Sequence, residues 1–125
     1  MELIISKTSS KPIYEQLKEQ IKTLIMKNEL QSGDILPSVR SLAKSLEISV
    51  ITAQRAYQDL QAEGFIETSS GKGTYVSSNT NKDFIREERF KEIEVLLVEA
   101  WKIALENNIE VKQLIKLLEI FDEEE

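Results

Sequence analysis

"SVRSLAKSLEISVITAQRAYQDLQAEG", Ser38 to Gly64, decides the fold. Ser38 suits a helix N-cap, because its side-chain oxygen can accept one of the backbone N–H groups that a helix start leaves unpaired. Behind it Val39, Leu42, Ala43 and Leu46 step by three and four, the spacing of one helix face. Only Ile48 and Ser49 separate this short helix from the next, and Ser49 is again a suitable cap. Ala53, Ala56, Tyr57 and Leu60 make the inward stripe of the second helix, which Gly64 ends. Small residues on that stripe let two helices cross closely. A short helix, a two-residue turn and a longer helix form a helix-turn-helix pattern.

Beyond Gly64 the period changes. "FIET" and "TYVS", joined by the polar "SSGKG", read as two short strands of a hairpin, with Gly71, Lys72 and Gly73 at its tip. The glycines permit positive φ and let backbone amides approach an anion; the lysine adds charge without demanding a particular base. A nucleotide P-loop needs a longer glycine spacing and a strand-to-helix context, whereas this loop runs from strand to strand. An ordinary turn with a solvated lysine is the other reading. The position directly behind the helix-turn-helix favours the wing of a winged helix.

Upstream, Pro12 suits the first position of a helix in which Ile13, Leu17, Ile21, Leu24 and Ile25 recur at helical spacing. Gly33-Asp34 is turn chemistry, and Pro37 biases Leu36 toward extended geometry. Downstream, the polar "SNTNKD" reads as a linker. Phe90, Ile93, Leu97, Ala100 and Ala104 then form a coiled-coil-like seam, broadened by Leu96, Trp101 and Ile103. Asn107-Asn108 interrupts it, with Asn108 as cap of a last helix carrying Val111, Leu114, Leu118 and Phe121. "DEEE" reads as a frayed end.

The expected fold is mostly α (α+β): a winged helix-turn-helix over residues 1–79 and a helical tail over residues 80–125. Apolar stripes this broad cannot bury both faces against each other, so a second copy is the economical cover. The expected dimer interface is Phe90, Ile93, Leu97, Ala100, Trp101, Ala104, Leu114, Leu118 and Phe121. Packing of the tail onto the winged part is the competing arrangement.

Composition narrows the function. Among 125 residues there is no histidine and no cysteine, which removes the commonest general base, the commonest metal ligand and any disulfide. Glu87, Glu88, Glu92, Glu94 and Glu99 are spread around a helix and read as a solvated face. An enzyme is not expected, nor a cofactor or metal. No long apolar run suggests a signal peptide or a membrane span, so a cytoplasmic protein is expected. The net charge of −6 would discourage a nucleic-acid partner, but residues 1–79 hold nine basic and nine acidic side chains. The tail, with seven against thirteen, carries the whole excess.

On the second helix of the pair, Ile51, Arg55, Gln58 and Ala62 point away from the inward stripe, flanked by Gln54. Arginine can read guanine, glutamine adenine, and an apolar side chain the thymine methyl. Ile51 is equally compatible with the ordinary exposure of a single apolar residue. Arg40, in the first turn of its helix, is badly placed beside the positive end of the dipole unless a phosphate or a salt bridge to Asp34 or Glu47 offsets it. Together these features favour double-stranded DNA over the rival, a winged-helix module that binds only protein.

"LQSGDILPSVRSLAKSLEISVITAQRAYQDLQAEGFIETSSGKGTYV", Leu30 to Val76, resembles the DNA-binding domain of GntR-type bacterial transcription regulators, with "PIYEQLKEQI" as the usual preceding helix. "LPSVRSLA", "EGFI" and "GKGTYV", in that order, carry the likeness. "QRAY" and the short two-helix tail are similar to the YtrA-like branch. The resemblance implies a homodimeric regulator, a repressor or an activator, on an inverted-repeat operator, with a neighbouring transporter operon as target. It implies a phosphate or groove-edge contact for Arg40. Ser49, Val50, Ile51 and Thr52, with Gln54 and Arg55, would form the recognition segment, and Gly71, Lys72, Gly73 and Thr74 the wing in the minor groove. Val50 and Ile51 stand where many members carry arginine or asparagine, and Ser32 where proline is usual. The first departure bears on base preference rather than on DNA binding. The tail is too short for the large effector domains of other branches, so any ligand pocket is expected to be small and at the dimer interface, with the small-molecule effector unknown.

Overall fold

Pro12, at φ −54° and ψ 146°, stands just outside the first helix rather than at its first residue. Its carbonyl accepts the N–H groups of Glu15 and Gln16, so α1 runs from Ile13 to Met26. In the computed structural model, which describes residues 1–124, it is followed by α2 (Val39–Leu46), α3 (Val50–Ala62), β1 (Ile66–Ser69) and β2 (Gly73–Val76). Then come α4 (Lys82–Glu106) and α5 (Val111–Glu123). Contacts divide the chain into two compact units, Met1–Thr80 and the residues from Asn81 onward.

In the first unit α3 lies at the centre, packed against α1, α2 and β1. Leu17, Ile21 and Ile25 of α1 meet a core that includes Leu42, Ala43, Ala53, Ala56, Leu60, Phe65, Ile66 and Val76, all buried. Each large aliphatic side chain there contributes about 1.5–3 kcal/mol relative to exposure. Both serine caps form: the Ser38 and Ser49 hydroxyls accept the N–H groups of Ser41 and Thr52, each at 3.1 Å. Between α2 and α3 the chain turns at Glu47, in the left-handed region at φ 56°.

β1 and β2 pair antiparallel, Ile66 opposite Val76 and Ser69 opposite Gly73. The segment Gly33–Leu36 also joins this sheet. The N–H of Gly33 donates to the Val76 carbonyl, that of Val76 to Asp34, and that of Leu36 to Thr74, at 2.8–2.9 Å. The turn expected at Gly33-Asp34 thus leads straight into a short edge pairing on β2. A run this short, between a glycine and a proline, carries no alternation that would announce a strand.

The N-terminal arm is tied to α1 by two glutamine amides. Gln16 accepts from the N–H of Ser6 and donates to the carbonyls of Ser6 and Lys11, at 2.8–2.9 Å. Gln20 grips the backbone of Ile4 in the same two-way fashion.

The second unit departs from expectation at three boundaries. Helix α4 begins inside the expected linker, because the Asn81 side chain accepts the N–H of Phe84 at 3.1 Å and caps it. Asn108 does not cap α5; it turns the chain at φ 57°, and Glu110 is the cap, its N–H donating to the Gln113 side chain at 3.0 Å. The expected fraying of "DEEE" does not extend to Asp122 and Glu123, which are helical, while Glu125 lies outside the described residues.

Candidate nucleic-acid interface

Every side of α3 has a separate use. Ala53, Ala56, Tyr57 and Leu60 fill the core, and the Tyr57 hydroxyl donates to the carbonyl of Pro37 at 2.8 Å. Burial pushes the Tyr57 phenol up to about 12. Asp59 and Glu63 turn toward α1, where Lys18 reaches them at 3.7 and 3.3 Å and Lys22 also bonds Glu63. Burial works against the Glu63 charge, yet the two lysines prevail and hold its carboxyl below the ordinary value. What remains is the outer stripe. Ile51 is 79% exposed, Val50 is exposed beside it, and Gln54, Gln58 and Ala62 are exposed along it.

Ser49 and Thr52, expected in the recognition segment, sit at the start of α3 with their hydroxyls 2.7 Å apart. They hold the helix terminus as well as bordering the exposed stripe. Arg55 departs from the position expected for a side chain directed straight outward. Its guanidinium carbon lies 3.7 Å from the centre of the Tyr14 ring, and its Nη2 donates to the Tyr14 hydroxyl at 3.1 Å. A helical wheel gives the angle of Arg55 on α3 but not the neighbour sharing that shoulder; Tyr14 on α1 is the residue that sequence reasoning missed. The available signal was spacing, since Tyr14, Lys18 and Lys22 repeat every four residues, as do Arg55, Asp59 and Glu63.

Arg40 is exposed in the first turn of α2, and among the described residues neither Asp34 nor Glu47 forms an ion pair with it. The Asp34 carboxylate instead accepts the N–H of Gln31 at 2.8 Å. At the hairpin tip Gly71, Lys72 and Gly73 are exposed and Thr74 is half-buried. Of the two glycines, only Gly73 takes a positive φ, 74°. The Lys72 ammonium stands 5.5 Å from the centre of the Tyr75 ring, with its three donors available to a ligand. An exposed helical stripe, a lysine-tipped hairpin and an unpaired Arg40 thus belong to one folded unit whose core and caps are complete without them.

The family model described as bacterial regulatory proteins of the gntR family matches residues 13–76, the whole stretch from the first residue of α1 to the last of β2. The chain belongs to the GntR family. The GntR proteins are regulators rather than enzymes, in line with the expectation from the missing histidine and cysteine. Within the family the chain is 44% identical over 81 residues to the HTH-type transcriptional repressor YtrA of Bacillus subtilis (strain 168), covering 65% of this chain and 62% of YtrA. The matched segment spans about three fifths of the length of such curated relatives. Among solved structures, a transcriptional antiterminator from Listeria monocytogenes EGD-e superposes with a TM-score of 0.70 at 28% identity, over 98% of this chain and 90% of that one. The AraR DNA-binding domain, solved in complex with operator ORX1, gives a TM-score of 0.53 at 26% identity, over 62% of this chain and 96% of that one. The winged helix-turn-helix and the YtrA-like resemblance read from the sequence both hold for this GntR chain. No helix among the described residues is long and apolar enough to cross a membrane.

Proposed function

We propose that this GntR chain is a cytoplasmic, sequence-specific DNA-binding regulator that acts as a homodimeric repressor on an inverted-repeat operator. The exposed stripe of α3 carries the reading: Ile51, Gln54 and Gln58 point to solvent from a helix whose other sides are committed to the core and to α1. Arg40, Lys72 and the wing glycines supply backbone contacts beside it. The operator-bound AraR domain and the repressor YtrA, as relatives, support the DNA partner and the direction of control.

The tail supplies the second copy. Phe90, Ile93, Leu97, Trp101, Leu118 and Phe121 are all exposed in the single chain, and Ala100 and Leu114 are half-buried. Ala104 leaves the expected interface, since it is already 2% exposed at the turn into α5, where its carbonyl accepts the N–H groups of Asn107 and Ile109. Around its middle α4 is apolar on several sides, with Val95, Leu96, Leu97 and Val98 consecutive and exposed. A helix apolar all round belongs inside a bundle. A two-fold dimer through the tail would set two α3 helices into successive major grooves, about 34–36 Å apart.

The test is selection of bound sites from random DNA by the full chain. Recovery of palindromic sites, bound with an affinity that falls steeply as salt rises, is the expected result. Recovery of no sequence, with partners captured only among proteins, would overturn the assignment.

A further inference from the structure

The seam between α1 and α3 has one member that differs from the others. Lys18 and Lys22 each face carboxylates, at Asp59 and Glu63. One step earlier, Arg55 faces the Tyr14 ring instead, with its guanidinium stacked at 3.7 Å and a single N–H spent on the hydroxyl. The nearest carboxylate in that chain of contacts, Glu15, accepts the tyrosine hydroxyl at 3.5 Å, and no ion pair holds Arg55 among the described residues. The fold therefore keeps an oriented, exposed and unneutralised cation on the shoulder of α3. A guanidinium lying on an aromatic face retains most of its in-plane donors for a planar or tetrahedral anion.

The contacts of Arg55, rather than its angle on α3, argue against base readout. Arg55 is turned about 40° from Ile51, no further than Gln54 on the other side, given 3.6 residues per turn. It alone of the exposed polar residues there is engaged by α1. Its stack on Tyr14 draws the head further toward α1. We propose that Arg55 binds a backbone phosphate of the duplex, that Tyr14 is the positioning residue holding it there, and that base discrimination falls to Ile51, Gln54 and Gln58. This rests on the DNA-binding reading above. It replaces the guanine contact that the bare helical wheel suggests for Arg55.

Salt and sequence dependence separate the roles. Affinities of the full-length wild type, Arg55→Ala, Arg55→Lys, Tyr14→Ala and Tyr14→Phe are to be measured on a selected site and its single-base-pair variants across a range of salt. Loss of one phosphate contact lowers the steepness of log affinity against log salt by about 0.9, so a roughly fourfold rise in salt costs Arg55→Ala about 3.5-fold less affinity than wild type. The Arg55→Ala loss is expected to be the same factor on every site. Arg55→Lys is expected to keep the slope. Tyr14→Ala loses affinity uniformly, and Tyr14→Phe, which keeps the ring, restores it. An unchanged slope for a folded Arg55→Ala, or lost discrimination at one base pair, overturns the phosphate role alone. A wild type that binds no DNA overturns the regulator reading with it.

Discussion

Gly73 holds φ at 74°, whereas Gly71, two residues earlier, does not use the left-handed region. An added Cβ meets nothing within 4 Å at either, so backbone strain alone distinguishes them. Gly73→Ala is expected to lower unfolding stability by about 1–2 kcal/mol, and Gly71→Ala to leave it nearly unchanged, in urea titrations. Tyr57 makes a different kind of prediction. Its phenol, buried and bonded to the Pro37 carbonyl, is pushed up to about 12, while the unfolded chain ionises it near the ordinary value of about 10. Folding therefore favours the protonated form: this contribution is full below about pH 10 and is lost as pH rises toward about 12. Melting temperature should fall across that window, and Tyr57→Phe should flatten the fall. Some of this scale was legible beforehand. Ser38 and Ser49 were readable as caps because their role depends on neighbours three residues away. The Tyr57 hydroxyl and the Arg55 head find partners 20 and 41 residues away, beyond the reach of local pattern.

The helix pair α1–α3 is held by the core and by the row of contacts along its edge. Glu63, with its carboxyl held low by Lys22 and Lys18, stabilises the fold fully above the ordinary glutamate value of about 4.3. That contribution disappears as pH falls through its depressed value. Glu63→Gln should make acid unfolding less steep, as followed by circular dichroism. At the other end of α3, Ser49→Ala removes the cap and is expected to cost about 1 kcal/mol in a denaturant titration. The helices were legible because their apolar residues repeat at full-turn spacing for two or more turns. The edge pairing of Gly33–Leu36 was not, since its hydrogen bonds go to residues some forty positions away on β2. The start of α4 was missed for a related reason: Asn81 resembles any other polar residue of a linker until its side chain is seen on the Phe84 amide.

Across the whole chain, charge and apolar surface are apportioned differently. Residues 1–79 are neutral and close their own core, while residues 80–125 carry the net −6 and leave most large apolar side chains exposed. On the dimer proposal, melting temperature should rise with protein concentration. Ile93→Asp combined with Leu118→Asp should yield a monomer by sedimentation, with DNA affinity much reduced while the first unit keeps its fold. The separate sides of α3 also bear on descent. Ile51, Gln54 and Gln58, the proposed base-reading residues, are exposed and belong neither to the buried stripe nor to the ion-paired row facing α1. Their codons can therefore drift after a gene duplication with little risk to folding. A duplicate could acquire a new set of targets through a few such changes, provided that it kept the residues gripping the scaffold.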